Sequence, residues 1–443
     1  MSKVVIIGGV AAGMKAAATA HRRRPDLDIV VLQEDAEVSY SACGLPYYLG
    51  APDVIQRSQL IARTVDRFRS DGIDLRAEHR VEEVDITRGT VRVRSTSSGK
   101  LAEESFDQLL FATGARAIVP KLEFASGAPP VLPLRSLRDA DAMMPFIRSR
   151  AAVSIIGGGY VGLELAEALV ARGMLVTVVE AMDRLLPAFE PVIGQSVVAS
   201  LVEHGVRVVT GNSAVGLSRT GLLLADGSEI PADLVVTAIG VRPNVELAAA
   251  SGIKVGETGA IVVDDGMRSN VDHVFAAGDC VESRHQISGD AVWYPLGDIA
   301  NRQGRVAGEN LAGGHSRFPG VLGTAIFKLF DYGVGRTGLS DAQATAAGFN
   351  PVRVNAQVPS RARYMPDSRM VNAWLSYDAA SGRVLGGEAV GGDAVDKFID
   401  VVATASWAGM TYDDLAELDL AYAPPFSPVF STVQVLGELA RKE

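Results

Sequence analysis

The chain predicts an α/β fold, with two nested, Rossmann-like dinucleotide-binding domains followed by a C-terminal α+β domain. Three observations predict it. A short β-branched run, a glycine cluster, a small-residue helical stretch and a second β-branched run occur in that order twice, beginning near residues 3 and 152. Two further strand-and-glycine elements bracket the second copy. Beyond about residue 320 no such cluster recurs, and strand patterns alternate with a helical one.

The first copy reads as a strand from Lys3 to Ile7, a turn from Gly8 to Gly13, a helix from Met14 to Arg24 and a strand from Ile29 to Leu32. In the second, Ala152 to Ile156, Gly157 to Gly162, Leu163 to Arg172 and Leu175 to Val179 take the same parts. Each is a βαβ unit. Glycines in such a turn let the backbone approach a pyrophosphate, and the helix N-terminus offers N–H groups and a positive dipole end. Gly157, Gly159 and Gly162 complete the G-x-G-x-x-G pattern, and Glu180 follows the second strand. The first turn keeps Gly8, Gly9 and Gly13 but has Val10 where the middle glycine belongs, so a purely structural turn stays open there.

Leu109 to Gly114 and Val235 to Gly240 roughly bracket the second unit, which predicts that it is inserted into the first. Val274 to Asp279 then reads as a late strand of the first domain that delivers Asp279 to its ligand. The predicted division is residues 1–115 and 246–320 for the first dinucleotide domain, 116–245 for the second and 321–443 for the third. Within the last, Ala325 to Phe330 and Val371 to Tyr377 read as strands, and Asp393 to Trp407 as a helix.

Composition limits what such a protein does. At 443 residues, 48% hydrophobic and 21% charged, the chain has apolar surface for about three cores and is not disordered as a whole. Its net charge of -10 argues against nucleic acid held by bulk electrostatics. Two cysteines, Cys43 and Cys280, are too few for a disulfide scaffold or a structural metal site, so no metal is expected. The first apolar run, Val4 to Ile7, is far short of a signal-peptide core or a membrane span, so the expectation is a cytoplasmic protein with no membrane partner.

Several further motifs then point to a family. The first glycine turn, the run Ser39-Tyr40-Ser41-Ala42-Cys43-Gly44-Leu45-Pro46-Tyr47-Tyr48, the Ala112-Thr113-Gly114 turn, the complete second fingerprint and Gly278-Asp279 follow one another in order. Leu60 to Thr64, Ala300 to Arg305 and Tyr422 to Ser427 add to them. Over nearly its whole length the chain resembles the pyridine nucleotide-disulfide oxidoreductases. Within them it is similar to the single-cysteine branch of coenzyme A disulfide reductases, NADH oxidases and peroxidases, and persulfide or polysulfide reductases. The resemblance implies FAD at the first turn, NADH or NADPH at the second, and a C-terminal dimerisation domain that completes the partner's active site in a homodimer. It places Gly8, Gly9, Gly13, Thr113, Gly114 and Asp279 along FAD. For the adenosine ribose it points ten residues before the cysteine, to Gln33, with Glu34 adjacent; Glu34 is the expected ribose ligand. Glu180 would accept hydrogen bonds from the NADH ribose and repel a 2′-phosphate, so NADH is preferred over NADPH.

Cys43 is the expected redox centre. A dithiol reductase needs a second cysteine about five residues away, and neither Val38 nor Tyr48 is one. The catalytic histidine of the dithiol enzymes is also missing from the C-terminal half, where His315 is the last histidine. What remains is a lone thiolate beside a flavin, cycling through a mixed disulfide, a persulfide or a sulfenic acid. Cys43-Gly44-Leu45-Pro46 reads as the start of a helix, which would lower the thiol pKa. A buried structural cysteine is the alternative, and it is the expected role of Cys280.

The resemblance makes the substrate a low-molecular-weight disulfide, coenzyme A disulfide-like, or a persulfide. Oxidase and peroxidase members carry a histidine inside the first turn, where this chain has Ala11, which favours disulfide or persulfide reduction. NADH oxidase or peroxidase activity, and a flavoprotein reductase serving a protein partner, are the alternatives. Arg22, within His21-Arg22-Arg23-Arg24, either docks an anionic nucleotide end or complements a helix C-terminus. Ser39 and Arg361 are the other substrate-side candidates. Tyr364 and Tyr422 match positions where the branch places a phenol near the substrate sulfur, or they pack an interface. Ala42 replaces the family's asparagine, Met365-Pro366-Asp367 follows Tyr364 in place of its usual motif, and Pro428 to Gln434 departs from its usual run. The substrate is therefore not fixed as coenzyme A disulfide.

Overall fold

The structure, a computed structural model, describes residues 2–443. Its first sheet has five parallel strands in the order Val274–Ala276, Gln108–Phe111, Lys3–Ile7, Asp28–Leu32 and Asp74–Arg76. These strands read as continuous apolar runs because both faces are covered. Val4 and Ile6 face the helices Ala12–Arg23 and Gly297–Leu311. Val5 and Ile7 face the antiparallel meander His79–Asp85, Thr90–Ser95 and Leu101–Ser105.

The second sheet repeats the plan. Val131–Pro133, Leu234–Thr237, Ala152–Ile156, Leu175–Val179 and Arg207–Val209 run parallel in that order. Between the two sheets the chain crosses twice, at Ala115–Ala117 and Val241–Pro243, and the crossings pair with each other antiparallel. Thr113 Oγ1 donates to the Asn244 carbonyl at 2.6 Å, and Asn244 Nδ2 donates to the Thr113 carbonyl at 2.8 Å, which ties the ribbon to the first sheet.

The third unit is an antiparallel sheet in the order Ala325–Leu329, Tyr332–Gly338, Val384–Gly391, Met370–Asp378 and Pro351–Pro359. Helices Val395–Ala408 and Thr432–Ala440 pack on it. The predicted α/β class and the α+β character of the third unit are the ones observed. Helix starts differ from expectation: the fingerprint helices begin at Ala12 and Tyr160, so Gly13 and Gly162 lie inside their first turns. The reason is contact. A Cβ on Gly13 would stand 1.9 Å from the Gly8 carbonyl oxygen, and one on Gly162 would stand 2.2 Å from that of Gly157.

Glycine also sets the crossing of the helices Ala12–Arg23 and Gly297–Leu311. Cβ atoms on Gly304 and Gly308 would each lie 2.4 Å from a backbone oxygen, of Ala12 and Ala16 respectively. Backbone cannot swing aside as a side-chain tip does. Gly304→Val should therefore destabilise the protein by about 1–3 kcal/mol. Denaturant unfolding monitored by circular dichroism checks this; an unshifted midpoint would refute the close-packing account.

Candidate active site

The two glycine turns are built alike. In the second, Gly157 N–H donates to the Val179 carbonyl at 2.8 Å, and Gly158 N–H to Glu180 Oε2 at 2.8 Å. Glu180 Oε1 also accepts from Met182 N–H at 2.9 Å, so the carboxylate is fixed beside the turn. In the first, Gly8 N–H donates to the Leu32 carbonyl at 2.9 Å, and Gly9 N–H to the Gln33 side-chain oxygen at 2.7 Å.

This pairing corrects the expectation for Glu34. Strand register puts the residue just after Leu32 over the turn, and that residue is Gln33, which is buried. Glu34 points outward and pairs with Arg80 at 3.6 Å. The neutral Gln33 thus holds in the first turn the place that Glu180 holds in the second.

Both turns fit a dinucleotide. No atom lies within 4 Å of where a Cβ on Gly159 would be, so a phosphate has room to reach the backbone there. The N–H groups of Val10 and Ala11 donate to no acceptor among the described residues. Gly114 is likewise open, at φ +66°. Asp279, expected along FAD, forms an ion pair with Arg135, which no sequence motif singled out. Gly278 N–H donates to Gln303 Oε1 at 2.9 Å, and Trp293 Nε1 donates to the Asp279 carbonyl at 2.9 Å, so this corner is held from both sides.

Cys43 lies in the 3-10 turn Ala42–Gly44, ahead of the helix Leu45–Gly50. The thiol is exposed, and a Cβ on Gly297 would lie 3.8 Å from its Sγ. The expected drop in thiol pKa is overturned. Its own helix is only six residues long, and the surrounding protein pushes the thiol up. Desolvation is the first cause and the Glu164 carboxylate the second; Asp279 and Asp298 add to it, while Arg135 opposes it.

The cysteine's helix is anchored to the second unit. Leu45, Tyr48 and Leu49 share one core with Leu163, Leu165, Ala166 and Leu169 of the second fingerprint helix, Tyr160–Ala171. A Cβ on Gly50 would sit 3.1 Å from Ala168 Cα, and Arg172 Nη1 donates to the Leu49 carbonyl at 3.0 Å. Tyr47 hydroxyl donates to Glu164 Oε1 at 3.2 Å. The sequence held one signal for Glu164: a carboxylate between Leu163 and Leu165 in an otherwise apolar helical stretch.

The remaining candidates separate. Cys280 is buried against the carbonyls of Phe111 and Ala277, as expected of a core residue. Arg22 has no carboxylate partner among the described residues, whereas Arg23 pairs with Glu309 and Arg24 with Asp26. Ser39 joins the first turn to the Cys43 segment, donating its N–H to the Gly9 carbonyl at 2.9 Å while its own carbonyl accepts from Ala62 at 2.8 Å. Arg361 is corrected: Asp367 and Asp393 both pair with it, so no free cation is left there for an anionic substrate. Tyr364 is 75% exposed and Tyr422 51%; neither is among the groups that shift Cys43 within one chain.

Residues 2–304 match the pyridine nucleotide-disulphide oxidoreductase family, and residues 324–434 its dimerisation domain. The chain belongs to the pyridine nucleotide-disulfide oxidoreductases. Members of this family are flavoenzymes that use NAD(P)H. Along 99% of its length the chain is 38% identical to an NAD(P)H coenzyme A polysulfide/persulfide reductase of Pyrococcus horikoshii, covering 98% of that protein. It is 29% identical to a coenzyme A disulfide reductase of Staphylococcus aureus, with 100% of both chains covered. It superposes on the structure of an NAD-dependent persulfide reductase from A. fulgidus with a TM-score of 0.94 and 40% identity, covering 99% of this chain and 83% of that one.

The corrected first turn carries a test within this oxidoreductase. Gln33→Ala leaves the Gly9 N–H without its partner, a loss of about 1–3 kcal/mol for a buried donor. FAD retention measured by dialysis and flavin absorbance should fall accordingly, while Glu34→Ala leaves it unchanged. The reverse result would restore Glu34.

Proposed function

We propose that this oxidoreductase reduces a low-molecular-weight disulfide of the coenzyme A type, or a persulfide, with NADH through Cys43. One observation carries the reading: the only exposed thiol among the described residues is held by the helix that opens at the second dinucleotide turn, while the other thiol is buried. FAD fits the first turn, with Gln33, Thr113, Gly114, Arg135 and Asp279 around it. When bound, FAD accepts hydride from the reduced nicotinamide and makes an electron pair available to sulfur. The protein's own residues do the rest.

Cys43 thiolate attacks one sulfur of the disulfide, a mixed disulfide forms on Cys43, and the first thiol leaves with a proton. Two electrons and a further proton then release the second thiol and restore Cys43. Arg22, without a carboxylate partner, supports an anionic substrate end near the first helix. We assign Tyr364 and Tyr422 to the site of the partner subunit in a homodimer, which the dimerisation domain and the exposed Phe426, Val429 and Phe430 support. A thiol chemistry that depends on free Cys43 supports a reducing, cytoplasmic location. Ala11, in place of a histidine, supports sulfur substrates over peroxide.

Cys43→Ser should keep FAD and lose NADH-dependent reduction of coenzyme A disulfide and polysulfide. The check is anaerobic turnover against a panel of disulfides, polysulfide and peroxide; a fully active variant, or no acceptor above the oxygen background, overturns the reading. Glu180 gives a second test. Glu180→Ala removes the carboxylate that disfavours a 2′-phosphate, so kcat/KM should move toward NADPH by about tenfold. Unchanged selectivity would show that Glu180 does not set it.

A further inference from the structure

We propose that Glu388 of the third unit is a positioning residue for the pyridine nucleotide: from across the domain boundary it fixes the segment 185–190, which lies against the second dinucleotide turn. The proposal rests on the reading above only in taking NADH as the ligand of that turn.

The segment lies between the strand Leu175–Val179 and the helix Pro191–Glu203. Its first end belongs to the nucleotide turn. Leu186 N–H donates to the Gly158 carbonyl at 3.3 Å, and a Cβ on Gly158 would stand 2.3 Å from Leu185 Cδ2, so the Leu185 side chain rests directly on that glycine. Gly158 is also the residue whose N–H holds Glu180. Leu186 has φ +50°, a left-handed conformation that a leucine keeps only where its surroundings impose it.

The other end is held by a different unit. Ala188, Phe189 and Glu190 each meet the third unit's sheet: the Ala188 carbonyl accepts from Arg336 Nη1, the Arg336 guanidinium carbon stands 5.5 Å from the Phe189 ring centroid, and Glu190 N–H donates to Glu388 Oε2 at 2.8 Å. The Glu190 carboxylate pairs with Arg353, which also pairs with Asp341 at 2.8 Å. Arg336 and Glu388 face each other in the register of Tyr332–Gly338 and Val384–Gly391.

Glu388 is the member of this group that its own unit does not use. It is 5% exposed, and the only hydrogen bond to its carboxyl group among the described residues is the one from Glu190 N–H. Burial pushes that carboxyl group up, while the Glu190 N–H, Arg336 and Arg353 counteract this. A carboxyl group taken out of water costs stability unless its partners offset it. The packing of the sheet itself asks only for apolar side chains at this seam, where Phe327, Val334, Trp374 and Val390 share one core with the second unit. What an apolar residue could not do is accept the Glu190 N–H, which as the N-cap donor has no acceptor within Pro191–Glu203. With both ends of the segment fixed, Leu185 stays on Gly158, and the nucleotide meets a turn that is already formed.

The test follows flavin reduction alone, with no sulfur acceptor. FAD-loaded parent and variants are mixed rapidly with NADH under anaerobic conditions, and the loss of flavin absorbance is followed as NADH is raised. Glu388→Ala should raise the NADH concentration for half-maximal rate by about tenfold while the limiting rate stays within about twofold. Glu388→Gln keeps an oxygen to accept the Glu190 N–H and should stay within about threefold of the parent. A role confined to stability gives the opposite pattern, a lower melting temperature with NADH half-saturation unmoved, and that result overturns the proposal. So does a Glu388→Gln protein as weak as Glu388→Ala, or a limiting rate that falls as far as half-saturation rises. Should Glu388→Ala lose its flavin, Arg336→Ala, which releases the Ala188 carbonyl from a half-buried side chain, carries the same expectation. A parent whose flavin NADH does not reduce overturns the functional reading as well, whereas a parent reduced by NADH that passes electrons to no sulfur compound overturns that reading alone.

Discussion

The contact on which the candidate active site depends is the packing of one short helix on one long one. Leu45–Gly50 makes six residues, too few to be stable on its own. It exists because Leu45, Tyr48 and Leu49 are buried among the leucines of the second fingerprint helix. Gly50 allows the approach, and Arg172 satisfies the Leu49 carbonyl that the short helix leaves without an intrahelical donor. Although its sequence lies in the first domain, the cysteine's segment therefore takes its position from the second.

Charge around the cysteine is arranged with the same economy. The site holds three carboxylates, Glu164, Asp279 and Asp298, against a single arginine, and that arginine is already shared with Asp279. These surroundings push the thiol up. Reactivity must then be supplied when the ligands arrive. The neutral Gln33 and the carboxylate of Glu180 take the same place in otherwise equivalent turns, each accepting from a glycine N–H.

What could be read from the sequence was local, and what escaped it was distant. The glycine turns, their flanking strands and the late strand at Val274 are written in runs of a few residues, and they stand where those runs imply. Choosing Glu34 over Gln33 put charge before register; the parallel pairing of Ile7 with Leu32 decides which of the two side chains lies over the turn. The Arg135–Asp279 pair joins residues 144 positions apart and leaves no trace in either neighbourhood. Arg361 looked free because Asp393, one of its two partners, lies across the third sheet's connections. The upward push on the Cys43 thiol comes first from burial by the packed domains and then from Glu164 in another domain's helix, neither of which is written in the residues around the cysteine.

The nesting of the sheets also dictates an order of assembly. Gln108–Phe111 sits between Lys3–Ile7 and Val274–Ala276, so one edge of this buried strand has no neighbour until the chain has been made past the whole second unit. The inserted unit, by contrast, carries all five strands of its parallel sheet between Val131 and Thr237. During synthesis the second unit can close while the first waits with an open strand edge, the kind of edge that recruits wrong partners. The antiparallel ribbon at Ala115–Ala117 and Val241–Pro243 pins the two ends of the insertion together as soon as the latter is made. It shortens the search that the late strand must make, and so the exposure of the unfinished flavin-binding half is brief.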